Sequence, residues 1–353
     1  MAHSVGWWSF VAATSWMLAG LCGCANGEGE GGGNAAGSGG WVTGGGGSGG
    51  THVGGGTAGT GGEAPPVDCL PAEGPGQAGT DSYADGSDQA TVTIADRDSC
   101  ARSYTMTTTA PLRDGEPDNP RTFAEQGGWP VLRSGHDMFD ALYALALEEV
   151  RENSVDSIED GAFNGGAPVA CPAGGCFETG RLWTYVWTRD TAYAVLLGLG
   201  LLDPQRAKNS LEFKLSERRG GGDLQIVQDT GTGGSYPISS DRVVWAMGAW
   251  ELLKFLDGAE RSAFVDRAYE AMANTADHDR AVVFDPADGL YRGEQSFLDW
   301  REQSYPGWTA TDTVQIGMSK SLSTNVGHYH LLSVTARLAA EKGLSTESAT
   351  YQG

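Results

Sequence analysis

Beyond residue 135 the chain alternates between stretches that are apolar on nearly every side and stretches charged along one side. Residues 188–202, 240–256 and 324–340 are of the first kind, the second of them with a Trp245, Ala249, Leu252, Leu256 stripe. Residues 136–151 (HDMFDALYALALEEVR), 204–219 and 259–277 are of the second kind. The 204–219 stretch opens on Pro204 and turns Lys208, Glu212, Glu217 and Arg218 to solvent, a pattern that predicts an amphipathic helix. A helix apolar all round must be covered on every side, so the interleaving predicts inner helices shielded by an outer ring. The expected fold class is mainly α, an (α/α) barrel type of architecture. Ahead of it, residues 90–95 and 103–109 alternate polar and apolar positions and are rich in Thr and Val, which predicts two short strands.

Polar or aromatic segments stand immediately before the apolar helices: WTYVWTRD, QDTGTGGSYPISSD and SKSLSTN. Inner helices running the same way gather these segments at one end, where a site is expected. In residues 181–195 (RLWTYVWTRDTAYAV), Trp183, Tyr185 and Trp187 alternate and run into Arg189 and Asp190. This reads as an extended segment entering a buried helix, with Thr188 as its N-cap. Charges at such a mouth need polar partners. Sugar hydroxyls are one kind, and aromatic rings stack on sugar faces; a solvated helix start above core tryptophans is the plainer alternative.

A second stretch, residues 288–308 (DGLYRGEQSFLDWREQSYPGW), sets Glu294, Asp299, Glu302, Arg292, Arg301 and Gln303 among Tyr291, Phe297, Trp300, Tyr305 and Trp308. Paired carboxylates in an aromatic setting are what glycoside hydrolysis requires: one kept protonated by apolar neighbours, another ionised to activate water. A surface turn is the competing account.

The formal net charge is −22 over 353 residues, without a basic stripe. That argues against nucleic acid or an anionic polymer as partner and fits a neutral glycan. Residues 5–21 are an apolar targeting region, and Leu21-Cys22-Gly23-Cys24 resembles a lipoprotein signal with Cys24 as the lipidated residue, although no Lys or Arg precedes it. A plain secretory signal is the alternative. Residues 27–62 hold 20 glycines in 36 positions, a flexible tether spanning roughly 35 Å. The expected organisation is a signal over 1–24, a Gly-rich disordered linker over 25–86, and one domain over 87–353, divided into a β lead-in (87–128) and a helical barrel portion (129–353). The address is the cell envelope through a lipid anchor, at the outer membrane or periplasm, or secretion. Cys69, Cys100, Cys171 and Cys176 remain, an even number in an exported chain, which predicts disulfides with Cys171–Cys176 and Cys69–Cys100 as the preferred pairing. A zinc site from all four competes with it.

Together these segments resemble the six-hairpin glycosidases, glucoamylases and the glucosidase half of glycogen-debranching enzymes. Trp187-Thr188-Arg189-Asp190 resembles their W-x-R-D segment at the head of an apolar helix. Residues 236–241 (YPISSD) are similar to the debranching "N-S-x-D" turn, residues 296–300 (SFLDW) to the acid-bearing segment, and residues 323–326 (STNV) to a later helix start, without its Glu. The resemblance spans 135–340. It implies an (α/α)6 barrel and an inverting acid/base mechanism without metal or organic cofactor. It further implies that Arg189, Asp190 and Asp241 grip sugar hydroxyls and that Trp187 and Trp183 form a stacking wall. Asp299 would be the general acid, with Glu302 and then Glu294 as alternatives. Tyr185, Trp300 and Arg301 fall among the substrate-binding candidates. Fewer helical stretches are legible than six hairpins need, and residues 345–353 are polar. The expectation is therefore an incomplete barrel, finished by another chain or by more sequence.

Other segments attract no role. His328 and His330 point to different faces of a helix, residues 277–279 (DHD) read as a solvated turn, and DTGTGGS lacks the Lys of a phosphate loop. Two further functions stay open: a catalytically silent glycan-binding lipoprotein, since no second catalytic carboxylate is identifiable, and, more distantly, a polysaccharide lyase, which the charge disfavours.

Overall fold

The computed structural model describes residues 79–95, 97, 101–112, 118–161, 163–217, 222–227, 240–293 and 313–353. Within them the chain is mainly α. It opens on an antiparallel four-stranded meander, β1 (Thr80–Asp85), β2 (Asp88–Ala95), β3 (Ser103–Thr108) and β4 (Arg121–Ala124), in the order β1-β2-β3-β4. β1 lies inside the stretch expected to be tether. Its TDSYAD sequence pairs Thr80 with Thr93 through Asp85 with Asp88, so ladder hydrogen bonds order a polar strand that carries no hydrophobic signal of its own. The inner face of the meander, Val92, Ile94, Tyr104 and Phe123, is covered by α1 (Asp137–Glu152) through Met138, Ala141, Ala144 and Leu145. A buried pair, Arg102 to Asp140 at 3.3 Å, and the Arg133–Glu125 fork at 2.6 and 2.7 Å tie the sheet to the helix start.

Short two-residue ladders follow: β5 (Ser154–Val155) with β8 (Cys176–Phe177), and β6 (Ser157–Ile158) with β7 (Val169–Ala170). Cys171 and Cys176 are joined by a disulfide across a CPAGGC loop, so they offer no thiolate pair to a metal. Asn209 Nδ2 donates to the carbonyls of Ala173 and Gly175 at 3.1 and 2.9 Å and holds the loop on the helical body.

That body is three helical hairpins. The first is α2 (Thr188–Ala194), carried through a π turn (Val195–Leu199) into α3 (Gly200–Leu202), then folded back as α4 (Pro204–Phe213). The second is α5 (Asp241–Leu252) and α6 (Gly258–Val282). After a short α7 (Thr313–Met318), the third is α8 (Leu322–Glu341) and α9 (Ser345–Gln352). The inner helices α2, α5 and α8 run the same way. Arg189 meets Asp241 at the first turns of α2 and α5, while Gly200 lies against Phe255 at their far ends. Likewise Gly327 meets Val243 near the starts of α8 and α5, and Arg337 lies over the Trp250 ring toward their ends. The return helices are antiparallel: Trp245 Nε1 donates to Leu211 O at 3.0 Å, Arg242 pairs with Asp279 at 2.6 Å, and Arg261 pairs with Glu341. Two glycines set how closely the inner row packs. A Cβ on Gly248 would stand 2.9 Å from Ala192 Cα, and one on Gly327 would stand 2.9 Å from Val243 Cγ2.

Four boundaries differ from expectation, each for a packing reason. The helix expected over 204–219 stops at Phe213, because Leu215 is buried in a ladder of β9 (Leu215–Glu217) with β10 (Leu224–Ile226). Asp277, His278 and Asp279 are not a turn but lie in the last third of α6, and Asp279 is buried against Arg242. The polar 345–353 stretch forms α9, which packs on α8, with Tyr351 Oη donating to Asp277 at 3.2 Å on α6. Thr188 is the first helical residue of α2 rather than its cap; Trp187 holds that place, and Thr188 Oγ1 donates to Val227 O at 2.9 Å. Among the described residues no helix is long and apolar enough to cross a membrane.

Candidate functional site

The segment before α2 doubles back on itself. Thr179 N donates to Tyr185 O at 3.0 Å, and Trp187 N to Thr179 Oγ1 at 3.3 Å, so residues 183–187 are held extended, as their alternation predicts. The three aromatics do not form one wall. Trp183 sits in the turn, 49% exposed, roughly 13 Å of strand from Trp187. Tyr185 is committed to the interior: its ring lies 4.7 Å from Phe163 and 5.1 Å from Trp187. The buried Lys214 ammonium stands 4.2 Å above it and donates to its hydroxyl at 3.1 Å. Trp187, half-buried, reaches the head of α2.

There the structure brings Arg189 against Asp241, with Trp187 and Asp190 beside Arg189 at the start of α2. Arg189 Nη1 is 3.4 Å from Asp241 Oδ1, the guanidinium half-buried and the carboxylate buried. The pairing follows from the parallel row, since the first turns of α2 and α5 adjoin and each carries an acidic residue. Acidic groups are favoured there by the partial positive charge of the unsatisfied N–H groups. The two helix starts are pinned from below, α2 by Thr188 to Val227 and α5 by Arg242. Arg242 is wholly buried; it donates to Gln225 Oε1 at 2.8 Å and to Asp279 Oδ1 at 2.6 Å, with His278 Nδ1 at 3.3 Å. The start of α8 has its own anchor: Ser321 caps it, and Asn325 exchanges hydrogen bonds of 2.8 and 3.0 Å with the backbone of Tyr291 on β12 (Leu290–Tyr291), which pairs with β11 (Phe284–Asp285). Behind it the buried His328 ring stacks on Tyr291, centroids 3.8 Å apart and planes at 8°. Burial holds the His328 pKa down to about 4 against a partial offset from Asp279, so the imidazole is neutral near pH 7. Burial also pushes the Tyr291 phenol up.

Asp279, Arg242 and His328 escape a reading of local composition. The signal that finds Asp279 is spacing, since Ala268, Met272, Thr275 and Asp279 form one buried stripe along α6. Glu178, just after β8, is a further carboxyl the motifs do not mark; burial pushes its pKa up, beside a cleft lined by Glu152, Asn153 and Arg181. Glu294, Asp299, Trp300, Arg301, Glu302, Cys24, Cys69 and Cys100, and the DTGTGGS segment, lie outside the described residues. Among the described residues no group of three His, Cys, Asp or Glu side chains is placed to hold a metal ion.

No family model, no curated protein and no solved structure matches this chain.

Proposed function

We propose that the chain is a glycoside hydrolase of six-hairpin type, acting on a neutral oligo- or polysaccharide. The observation that supports this most is the Arg189–Asp241 pair at the common N-terminal end of parallel inner helices, with Trp187 and Asp190 beside Arg189 at the start of α2. An indole, a guanidinium and carboxylates on rigid helix starts suit vicinal hydroxyls and an apolar sugar face. In this reading the three hairpins are a portion of an (α/α)6 barrel. Leu322, Val326 and Tyr329, an exposed apolar stripe on α8, are where a further hairpin or partner chain would pack. Hydrolysis is inverting, with Asp299 as general acid and Glu302 as the alternative, and needs no cofactor. The domain hangs from the cell envelope by lipid on Cys24 and the glycine tether.

A catalytically silent glycan-binding protein is the second reading. It is favoured by the 3.4 Å Arg189–Asp241 pair, in which the carboxylate nearest the site already faces a cation.

One experiment separates the two. The full chain is incubated with a panel of neutral oligosaccharides and followed by proton NMR. Released sugar of inverted anomeric configuration, lost about 100-fold or more in Asp299→Asn with binding retained, supports the first reading. Loss in Glu302→Gln alone moves the acid to Glu302. Binding without release supports the second.

A further inference from the structure

Most polar side-chain atoms buried among the described residues have hydrogen-bond partners, as folded proteins require. Two that do not stand at one place. Trp187 Nε1 and Ser240 Oγ are shut away from solvent and neither makes a hydrogen bond. Trp187 is the residue before α2 and Ser240 the residue before α5. Because those helices are parallel neighbours bridged at their first turns by Arg189 and Asp241, the two residues flank one mouth. Ser240 is only 1% exposed, yet its hydroxyl makes no cap bond to α5, the usual reason for a serine at that position.

An unmade hydrogen bond at a buried hydroxyl or indole N–H disfavours the folded state. Two such groups, each at the start of one of two neighbouring helices bridged by a charged pair, are the arrangement expected where a ligand supplies the missing partners. The chemistry of the pair narrows the ligand. The indole N–H can only donate, and the serine hydroxyl donates or accepts. Neither carries charge, and Asp190 and Asp241 on the same turns disfavour an anion. A neutral polyol, with ether and hydroxyl oxygens as acceptors and hydroxyl hydrogens for the serine and the carboxylates, satisfies every group.

We propose that Ser240 and Trp187 are a hydrogen-bonding clamp for one sugar unit, Trp187 acting through its indole N–H and Ser240 through its hydroxyl. The proposal rests on the glycan reading above and assigns its specificity. Sugars presenting an oxygen to both groups bind; their deoxy analogues at that position do not.

The test uses the full chain, with maltotetraose, cellotetraose, mannotetraose and xylotetraose as probes, read by titration and by the nitrogen-15 indole resonance of Trp187. The best-binding tetrasaccharide is expected to shift the Trp187 indole N–H resonance. Ser240→Ala and Trp187→Phe are each expected to weaken its binding by about tenfold, and Ser240→Thr to restore most of the loss. Because Ser240 Oγ has no protein partner, Ser240→Ala is expected to leave the Tm unchanged or to raise it. Binding undiminished in Ser240→Ala, or an indole resonance unmoved at saturation, overturns the clamp while leaving the glycan reading standing. Failure of all four probes to bind the wild type, with its fold intact, overturns both. A lower Tm together with unchanged affinity in Ser240→Ala makes the residue structural.

Discussion

Arg242 and Asp279 are 0% and 2% exposed in their side chains and 2.6 Å apart, a closed charge pair directly beneath the candidate site. Breaking one side of such a pair leaves an uncompensated buried charge, so Asp279→Ala is expected to lower unfolding free energy by about 3–5 kcal/mol, measured by urea denaturation. A loss below about 1 kcal/mol would show that the guanidinium finds solvent or another acceptor. His328 makes a second statement at this scale. Its folded pKa, about 4, is depressed below the ordinary value by burial, so the unfolded chain binds the proton more tightly. Stability from this group is present above the unfolded pKa and is lost as pH falls through the folded one. The shift corresponds to roughly 3 kcal/mol between about pH 7 and pH 4. Unfolding curves across that window should steepen in their pH dependence for the wild type and flatten in His328→Phe, which keeps the stack on Tyr291. Equal slopes in the two proteins would contradict the assignment.

At the scale of elements, the close approach of the inner helices is the feature with most leverage. Gly248→Ala would place a methyl 2.9 Å from the backbone of Ala192 and force α2 and α5 apart, which should destabilise by about 1–3 kcal/mol and also misplace Arg189 against Asp241. Retained stability in that variant would mean the helices slide without loss. The disulfide acts on a different element: Cys171→Ser opens a loop of few residues and should lower stability by about 2 kcal/mol, seen as a fall in Tm that reductant reproduces in the wild type. Helix existence was legible in the periodicity because apolar spacing is local. α1, α2, α5, α6 and α8 all fall where the spacing puts them. What local pattern does not carry is partnership. β1 is ordered by its neighbour rather than by its own residues, α9 is polar on the side that faces solvent and is held by α8, and Leu215 turns from helix to strand because a ladder partner awaits it. The site shows the same division. Trp187, Arg189, Asp190 and Asp241 announce themselves as charges and aromatics beside apolar runs. Ser240 and His328 are chemically unremarkable residues whose surroundings, set by parallel packing of distant helices, make them matter.

For the whole molecule, the fold points to one end. Every inner helix starts there, and Arg189 and Asp241 meet on the first turns of two of them, with Trp187 and Asp190 beside Arg189 in the chain. Along α8, Leu322, Val326 and Tyr329 form an exposed apolar stripe, and Val314 and Met318 of α7 are exposed as well. Apolar surface arranged at i, i+4 and i+7 favours association, so the domain from residue 79 is expected to self-associate at micromolar concentration in sedimentation, and Tyr329→Glu to shift it toward monomer. A concentration-independent monomer in the unmutated protein would remove the packing role given to that stripe. The central claim, that the mouth shared by α2 and α5 is a neutral-glycan site, is tested most directly by calorimetric titration of the oligosaccharide panel into the wild type and Asp190→Ala. Binding by the wild type that weakens at least about tenfold in Asp190→Ala, in a variant that remains folded, is the result predicted. Equal binding by both proteins, or binding by neither, would contradict it.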